Sequence, residues 1–413
     1  MSRRSFFKFI GAGVLLSPGF ARSDRPTGPG RRLSEIFHVD EIPDPPFLDD
    51  GQSHIGVEAL LALLDNWRLP FYHSPLPGDL AGPNGLIAAD DVVLIKVNAQ
   101  WKCRGCTNSD VVRGLIRRIL DHPDGFRGEV LIVENGQGRG SLHCDNPNYG
   151  DSDVRANAVN EAHSFVYLVD RVFADPRVSA FLLDPLRFTF ISGDDHQTDG
   201  YRRFEDISYP CFTTPGGRRV ELRGGIWTGS GYGQNLKLIN VPVLKHHDKG
   251  GSEITASLKH MYGLLSIEDG VSNEYRHYAG LGETCGKMMA SVRAPVLNIV
   301  DAIWVSHKSL DGRPASATHQ ANALVASRDP VALDYWAAKH VLHPIDGNPR
   351  HHPDHENIRR WLDAARETIN CRGGLFPPGP RVFAEEVTCD ESRMTVVSMS
   401  AAEALRGRAL PRP

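Results

Sequence analysis

Apolar residues recur along the chain in two alternating rhythms. In residues 56–67, Val57, Leu60, Leu61 and Leu64 fall three or four apart, the spacing of one helix face. Residues 91–97 form a continuous apolar run, Val92 to Ile95, closed by polar Asp91 and Lys96. That suits a strand buried on both faces. Residues 109–120 return to helical spacing through Val112, Ile116 and Leu120, with Ser109 placed to cap. Residues 129–133 make the next strand. The alternation predicts a parallel sheet with crossover helices.

Residues 141–235 are less periodic. They suggest a helix over 154–172 and short strands at 187–191 and 219–222, joined by long loops rich in Gly, Pro and Asn. The pattern then sharpens. Residues 236–244 predict a strand. Residues 252–265 predict a helix with Ile254, Leu258, Met261 and Leu265 on one side. Strands follow at 295–300 and 323–326. A helix over 329–341 opens on Asp329 as cap and Pro330 in its first turn. Residues 355–368 give the last substantial helix. No internal repeat is visible. The expected fold class is α/β: three layers, a mainly parallel sheet with crossover helices, and long loops over one edge.

The N-terminus stands apart from this pattern. Arg3-Arg4-Ser5-Phe6-Phe7-Lys8 precedes a short apolar stretch, then Pro18, Gly19 and Ala21. This order reads as a twin-arginine export signal cleaved near Ala21, too short to span a membrane. The expected organisation is a signal at 1–22, a linker at 23–50, and one α/β unit at 51–413 with its core at about 90–345 and its folded part starting near Ile55. The translocation machinery is then a partner, and the destination is periplasmic or otherwise extracytoplasmic. No other segment reaches about 18 consecutive apolar residues, so stable membrane insertion is not expected.

Composition narrows the partners. The 413 residues carry a net charge of -4 with 23% charged. Without a broad basic field, nucleic acid is excluded as a partner. The seven cysteines are odd in number, so at least one has no intrachain disulfide partner.

Ligands of open α/β sheets bind beyond the carboxyl ends of the strands. The predicted strands end on Lys96 and Asn98, on Glu134 and Asn135, on Lys245, on Asp301 and on Asp329. The densest group is Lys245-His246-His247-Asp248-Lys249-Gly250-Gly251, ahead of the helix predicted at Ser252. Cations and glycines before a helix N-terminus make an anion site, although a solvated turn has an equal claim. Thr255, Lys259 and Tyr262 follow at i, i+4 and i+7. In this reading Lys96, Lys245 and Lys259 hold a small anionic ligand, while Asn98, Thr255 and Tyr262 bind and orient it. His246 is the acid/base group, its ordinary pKa being about 6.5. Asp301 and Asp329 position the basic groups or bind a metal ion. The late histidines, including His351, are expected in an exposed loop.

Cys103-Arg104-Gly105-Cys106 has CxxC spacing. A disulfide or unlinked thiols is the first reading, redox activity the second and a metal the third, with His143 and Cys144 as further ligands if they fold nearby. Gly136-Gln137-Gly138-Arg139-Gly140 does not fit GxGxxG, and neither GxSxG nor HExxH occurs. The cofactor is left open, with a metal ion as the candidate. Three functions follow: an exported enzyme acting on a small anion, a redox or metal protein of iron–sulfur type using the CxxC pair, and a non-catalytic periplasmic binding protein.

Several of these stretches resemble the DUF362 family across about residues 90–345. They are Lys96-Val97-Asn98; Asn240-Val241-Pro242-Val243-Leu244-Lys245-His246-His247 with Thr255 and Leu258-Lys259-His260-Met261-Tyr262-Gly263; Ile299-Val300-Asp301-Ala302; and Ala326 to Asp334. His277 resembles a histidine in the segment that follows. The resemblance implies little chemistry. Some members carry added ferredoxin-like iron–sulfur segments, whose motifs this sequence lacks. The stretch after Asp301, Leu310-Asp311-Gly312-Arg313-Pro314, departs from the family's Gly-rich pattern.

Overall fold

The structure, a computed structural model, describes residues 33–247, 251–270, 273–372 and 386–408. The expected export signal, the linker up to Arg32 and residues 248–250 of the Lys/His segment lie outside the described residues.

Ten strands make the central sheet: β1 (Ser34–Asp40), β2 (Val92–Lys96), β3 (Glu129–Glu134), β4 (Val178–Leu182), β5 (Leu236–Asn240), β6 (Val243–His246), β7 (Ile254–Thr255), β8 (Leu297–Ser306), β9 (Thr318–Ser327) and β10 (Met394–Ser400). Their order is β10-β1-β9-β8-β5-β2-β3-β4, with β6 pairing β8 and β7. From β4 through β8 all neighbours along this order are parallel. Strand β9 runs antiparallel to both β8 and β1. The apolar run of β2 divides by period two. Val92 and Leu94 face one core and Val93 and Ile95 the other.

Helices cover both faces, as the three-layer expectation requires. On one side lie α1 (Ile55–Asn66), α2 (Ser109–Leu120) and α7 (Ala401–Arg408). On the other lie α3 (Ser257–His260), α4 (Leu281–Lys287), α5 (Pro330–Ala337) and α6 (Glu356–Arg372). A small antiparallel sheet over residues 200–233 joins this second core through Tyr201, Phe212 and Val220. Among the described residues no helix is long and apolar enough to cross a membrane.

Several expectations differ in detail. The ordered chain begins before Ile55, because Ser34–Asp40 is a sheet strand and not linker. The strand expected at 236–244 breaks into β5 and β6 at Val241-Pro242, where proline has no N–H for the ladder. Of residues 154–172, only those from Phe165 are helical. A strand forms at Val178–Leu182 and not at 187–191, while the strand expected at 219–222 is Arg219–Glu221. The cap of α2 is Asn108, one residue before Ser109.

Candidate functional site

A cleft opens at the carboxyl ends of β2 and β3, closed from the side by β6, β7 and α3. Lys96, Lys245 and Lys259 line it, as do His247, His260 and His277. Among the described residues its single carboxylate is Glu134. That carboxylate is already engaged. Lys96 and Glu134 end adjacent parallel strands and form a fully buried ion pair, Nζ to Oε1 2.8 Å. Glu134 also accepts from the amides of Ala99 and Asn135. Burial pushes Lys96 down and Glu134 up to about 7, and the contact between them opposes both shifts. Gly263 rides directly over the pair. A Cβ there would lie 2.5 Å from Glu134 Oε1 and 2.7 Å from Lys96 Nζ.

Strand β6 sorts its side chains by alternation. Lys245 faces the cleft, its Nζ donating to the carbonyls of Gly105 at 2.6 Å and Leu310 at 3.1 Å. Burial lowers its pKa to about 8. His246 points the opposite way, its Nδ1 2.9 Å from Nε2 of His351. His246, expected as the acid/base group, therefore does not line the cleft, whereas His247, the next residue, does. Burial first, then the charge of Lys259, holds the His247 imidazole well below its ordinary pKa, which favours its neutral form. His351 is itself buried, against the expectation of an exposed loop. Its Nδ1 sits 3.4 Å from Asp346.

The anion site expected at a helix beginning at Ser252 is also corrected. Residues 254–255 pair with β6 as β7, and the helix starts at Ser257. The amides of Ser257 and Leu258 donate to the Asp334 carboxylate at 2.7 and 2.8 Å. The helix N-terminus is thus satisfied from within the protein, and positive charge in the cleft comes from lysine side chains. Lys259 on α3 is 7% exposed, its Nζ 5.4 Å from the Tyr262 ring centre. The Tyr262 hydroxyl is buried and has no hydrogen-bond partner among the described residues. Thr255 and Asn98 line the cleft as expected, and Asn98 Oδ1 accepts from the Val243 amide at 2.9 Å.

The remaining candidates lie elsewhere. Asp301 sits within β8, fully buried, and accepts from the amides of Asn108 at 2.7 Å and Ile303 at 3.1 Å. Asp329 ends β9, and because β9 is antiparallel it lies at the opposite sheet edge. There it caps α5 through the Val331 and Ala332 amides and binds Ser34 and Thr388. Among the described residues no three His, Cys, Asp or Glu side chains converge as metal ligands, so Asp301, Asp329, Cys103 and Cys106 do not form one site. All seven cysteines are unlinked. The strand ends pointed to Lys96 and Lys245, but not to the pairing of Lys96 with Glu134 or to the facing of His247.

Fold and cleft together define an α/β protein with a cationic, imidazole-lined pocket at the carboxyl edge of its parallel strands. Residues 234–339 match the family model of DUF362, a domain of unknown function. The match supports the resemblance drawn from Asn240 to Gly263 and from Ile299 to Asp334. Neither the curated proteins nor the solved structures contain a match.

Proposed function

We propose that the cleft binds a small anionic molecule, one bearing phosphate or carboxylate groups, and acts on it as an enzyme. The supporting observation is the charge balance among the described residues: three lysines and three imidazoles line the cleft against one carboxylate, itself paired with Lys96. Lys245 and Lys259 supply the charge that holds the anion, and Tyr262, which lines the cleft and whose buried hydroxyl has no partner among the described residues, packs beside it. His247 takes or returns the proton. In calorimetric titration with inorganic phosphate, pyrophosphate and citrate, at least one should bind, and Lys245→Ala and Lys259→Ala should each weaken it about tenfold or more, the scale of one charge-assisted bond. Undiminished binding by both variants would remove this assignment. His247→Gln separates enzyme from binding protein, since only an enzyme loses turnover while keeping the ligand.

The same proposal includes export through the twin-arginine route. Replacing Arg3 and Arg4 with lysine should leave the protein in the cytoplasmic fraction, and an unchanged fractionation pattern would refute this.

A further inference from the structure

Three cysteines from two segments come together beside the cleft. The Cys103 amide donates to the carbonyl of Arg155 at 2.7 Å, and the Arg155 amide donates to the carbonyl of Cys144 at 3.0 Å. The Asn157 amide donates to Cys106 Sγ at 3.4 Å, and Asn157 Nδ2 donates to the Cys106 carbonyl at 3.0 Å. This lacing sets the Cys106 and Cys144 thiols against each other, with both side chains fully buried. Cys103 remains half-buried, and Cys106 Sγ donates to its carbonyl at 3.1 Å. Sequence spacing pairs Cys103 with Cys106. The packing instead sets Cys106 against Cys144.

We infer that Cys106 and Cys144 are a dithiol site that closes to a disulfide by exchange with a small-molecule or protein disulfide, with the half-buried Cys103 as the relay. The Cys103 thiolate attacks the oxidant's S–S bond and releases one thiol. Cys106 then attacks Cys103 Sγ and releases the second thiol. Cys144 finally attacks Cys106 Sγ, leaving the Cys106–Cys144 bond and a free Cys103. Two electrons pass from the protein dithiol to the oxidant, whose two sulfurs leave as thiols carrying the two protons.

The surroundings favour Cys106 as the central nucleophile. Burial alone would raise its pKa, but the Cys144 thiol, the Asn157 amide and the Lys245 charge together hold it below the ordinary thiol value. Lys245 is tied to the spot because its Nζ bonds the carbonyl of Gly105, next in the chain. The bond would staple two cleft-lining loops: the one after β2, which carries Asn98, Gln100 and Trp101, and the one after β3, which carries Gln137. These loops already touch, since Asn146 Nδ2 donates to the Gln100 carbonyl at 2.8 Å.

The test uses the native full-length chain in oxidised glutathione, quenched with acid, alkylated in denaturant, digested and read by mass spectrometry. The expected result is loss of two alkylatable thiols, a linked peptide pair joining Cys106 to Cys144, and a Tm raised by a few degrees over the reduced protein. A persistent Cys103–Cys106 link as the main product, or seven alkylatable thiols after oxidation, would overturn the pairing. Because this experiment needs no variant, misfolding cannot obscure it. Cys103→Ser should slow formation of the same link at least tenfold, and an unchanged rate would remove the relay. Anion binding is not part of the readout, so this inference stands or falls apart from the ligand assignment.

Discussion

At the scale of single residues, the buried carboxylates separate structure from chemistry. Asp301 was a metal or positioning candidate because it closed a predicted strand. In the fold it bonds the Asn108 amide, fixing the residue that caps α2 and follows the turn carrying Gly105. Its influence on the cleft therefore runs through that turn, whose Gly105 carbonyl holds Lys245. Burial raises the Asp301 carboxyl to about 7, against the backbone amides that pull it back. A carboxyl whose folded pKa lies above its unfolded value stabilises the fold fully below about pH 4, and the contribution is lost as pH rises through the folded pKa. Between pH 5 and pH 8 wild type should therefore lose about 2 kcal/mol that Asp301→Asn does not. Urea midpoints at the two pH values check this. Equal pH slopes for the two proteins would mean that Asp301 is ionised throughout.

At the scale of elements, the cleft depends on where α3 begins. Apolar spacing carried the predicted helix back to Ser252, and the true start lies at Ser257 because β7 claims residues 254–255. The deciding contact is remote in sequence. Asp334 on α5 accepts the amides of Ser257 and Leu258, which sets the rotation of α3 and hence the position of Lys259. Asp334→Ala leaves two buried amides unsatisfied and should destabilise the protein by about 2–6 kcal/mol, at about 1–3 per amide, read as a lowered denaturation midpoint. A change below about 0.5 kcal/mol, the ordinary range for surface sites, would contradict the capping role. The same contrast explains what the sequence made legible. Strands β2 and β3 and helices α1 and α2 are local patterns, and they were placed within a residue or two. So were the lysines that the strand ends present. The direction of β9 depends on distant pairing, and with it the fate of Asp329. The facing of His246 against His247 depends on β6 ending at His246, which periodicity alone does not fix.

At the scale of the whole molecule, one side of the sheet is built by strands from opposite ends of the described chain. Strand β1, near the start of the described chain, lies between β9 and β10, parallel to β10 from Ser34–Met394 to Asp40–Ser400. Its sequence hid this, because apolar Ile36, Phe37 and Val39 give neither a clean alternation nor a long run, and they follow a Pro/Gly-rich stretch. Those three side chains are at most 1% exposed, and burying each is worth about 1.5–3 kcal/mol. Together they approach the whole stability of an ordinary domain, about 5–15 kcal/mol. Removing β1 would also unpair one edge of β9 and leave β10 without its partner strand, exposing ladders prone to wrong association. A chain beginning at Leu33 should therefore unfold cooperatively with the Tm of the longer protein, while one beginning at Glu41 should aggregate or melt without a cooperative transition. Calorimetry and size-exclusion chromatography distinguish the two. If the Glu41 chain melts sharply at the same temperature, β1 is an appendage, and the structural unit starts where the apolar pattern of α1 first placed it.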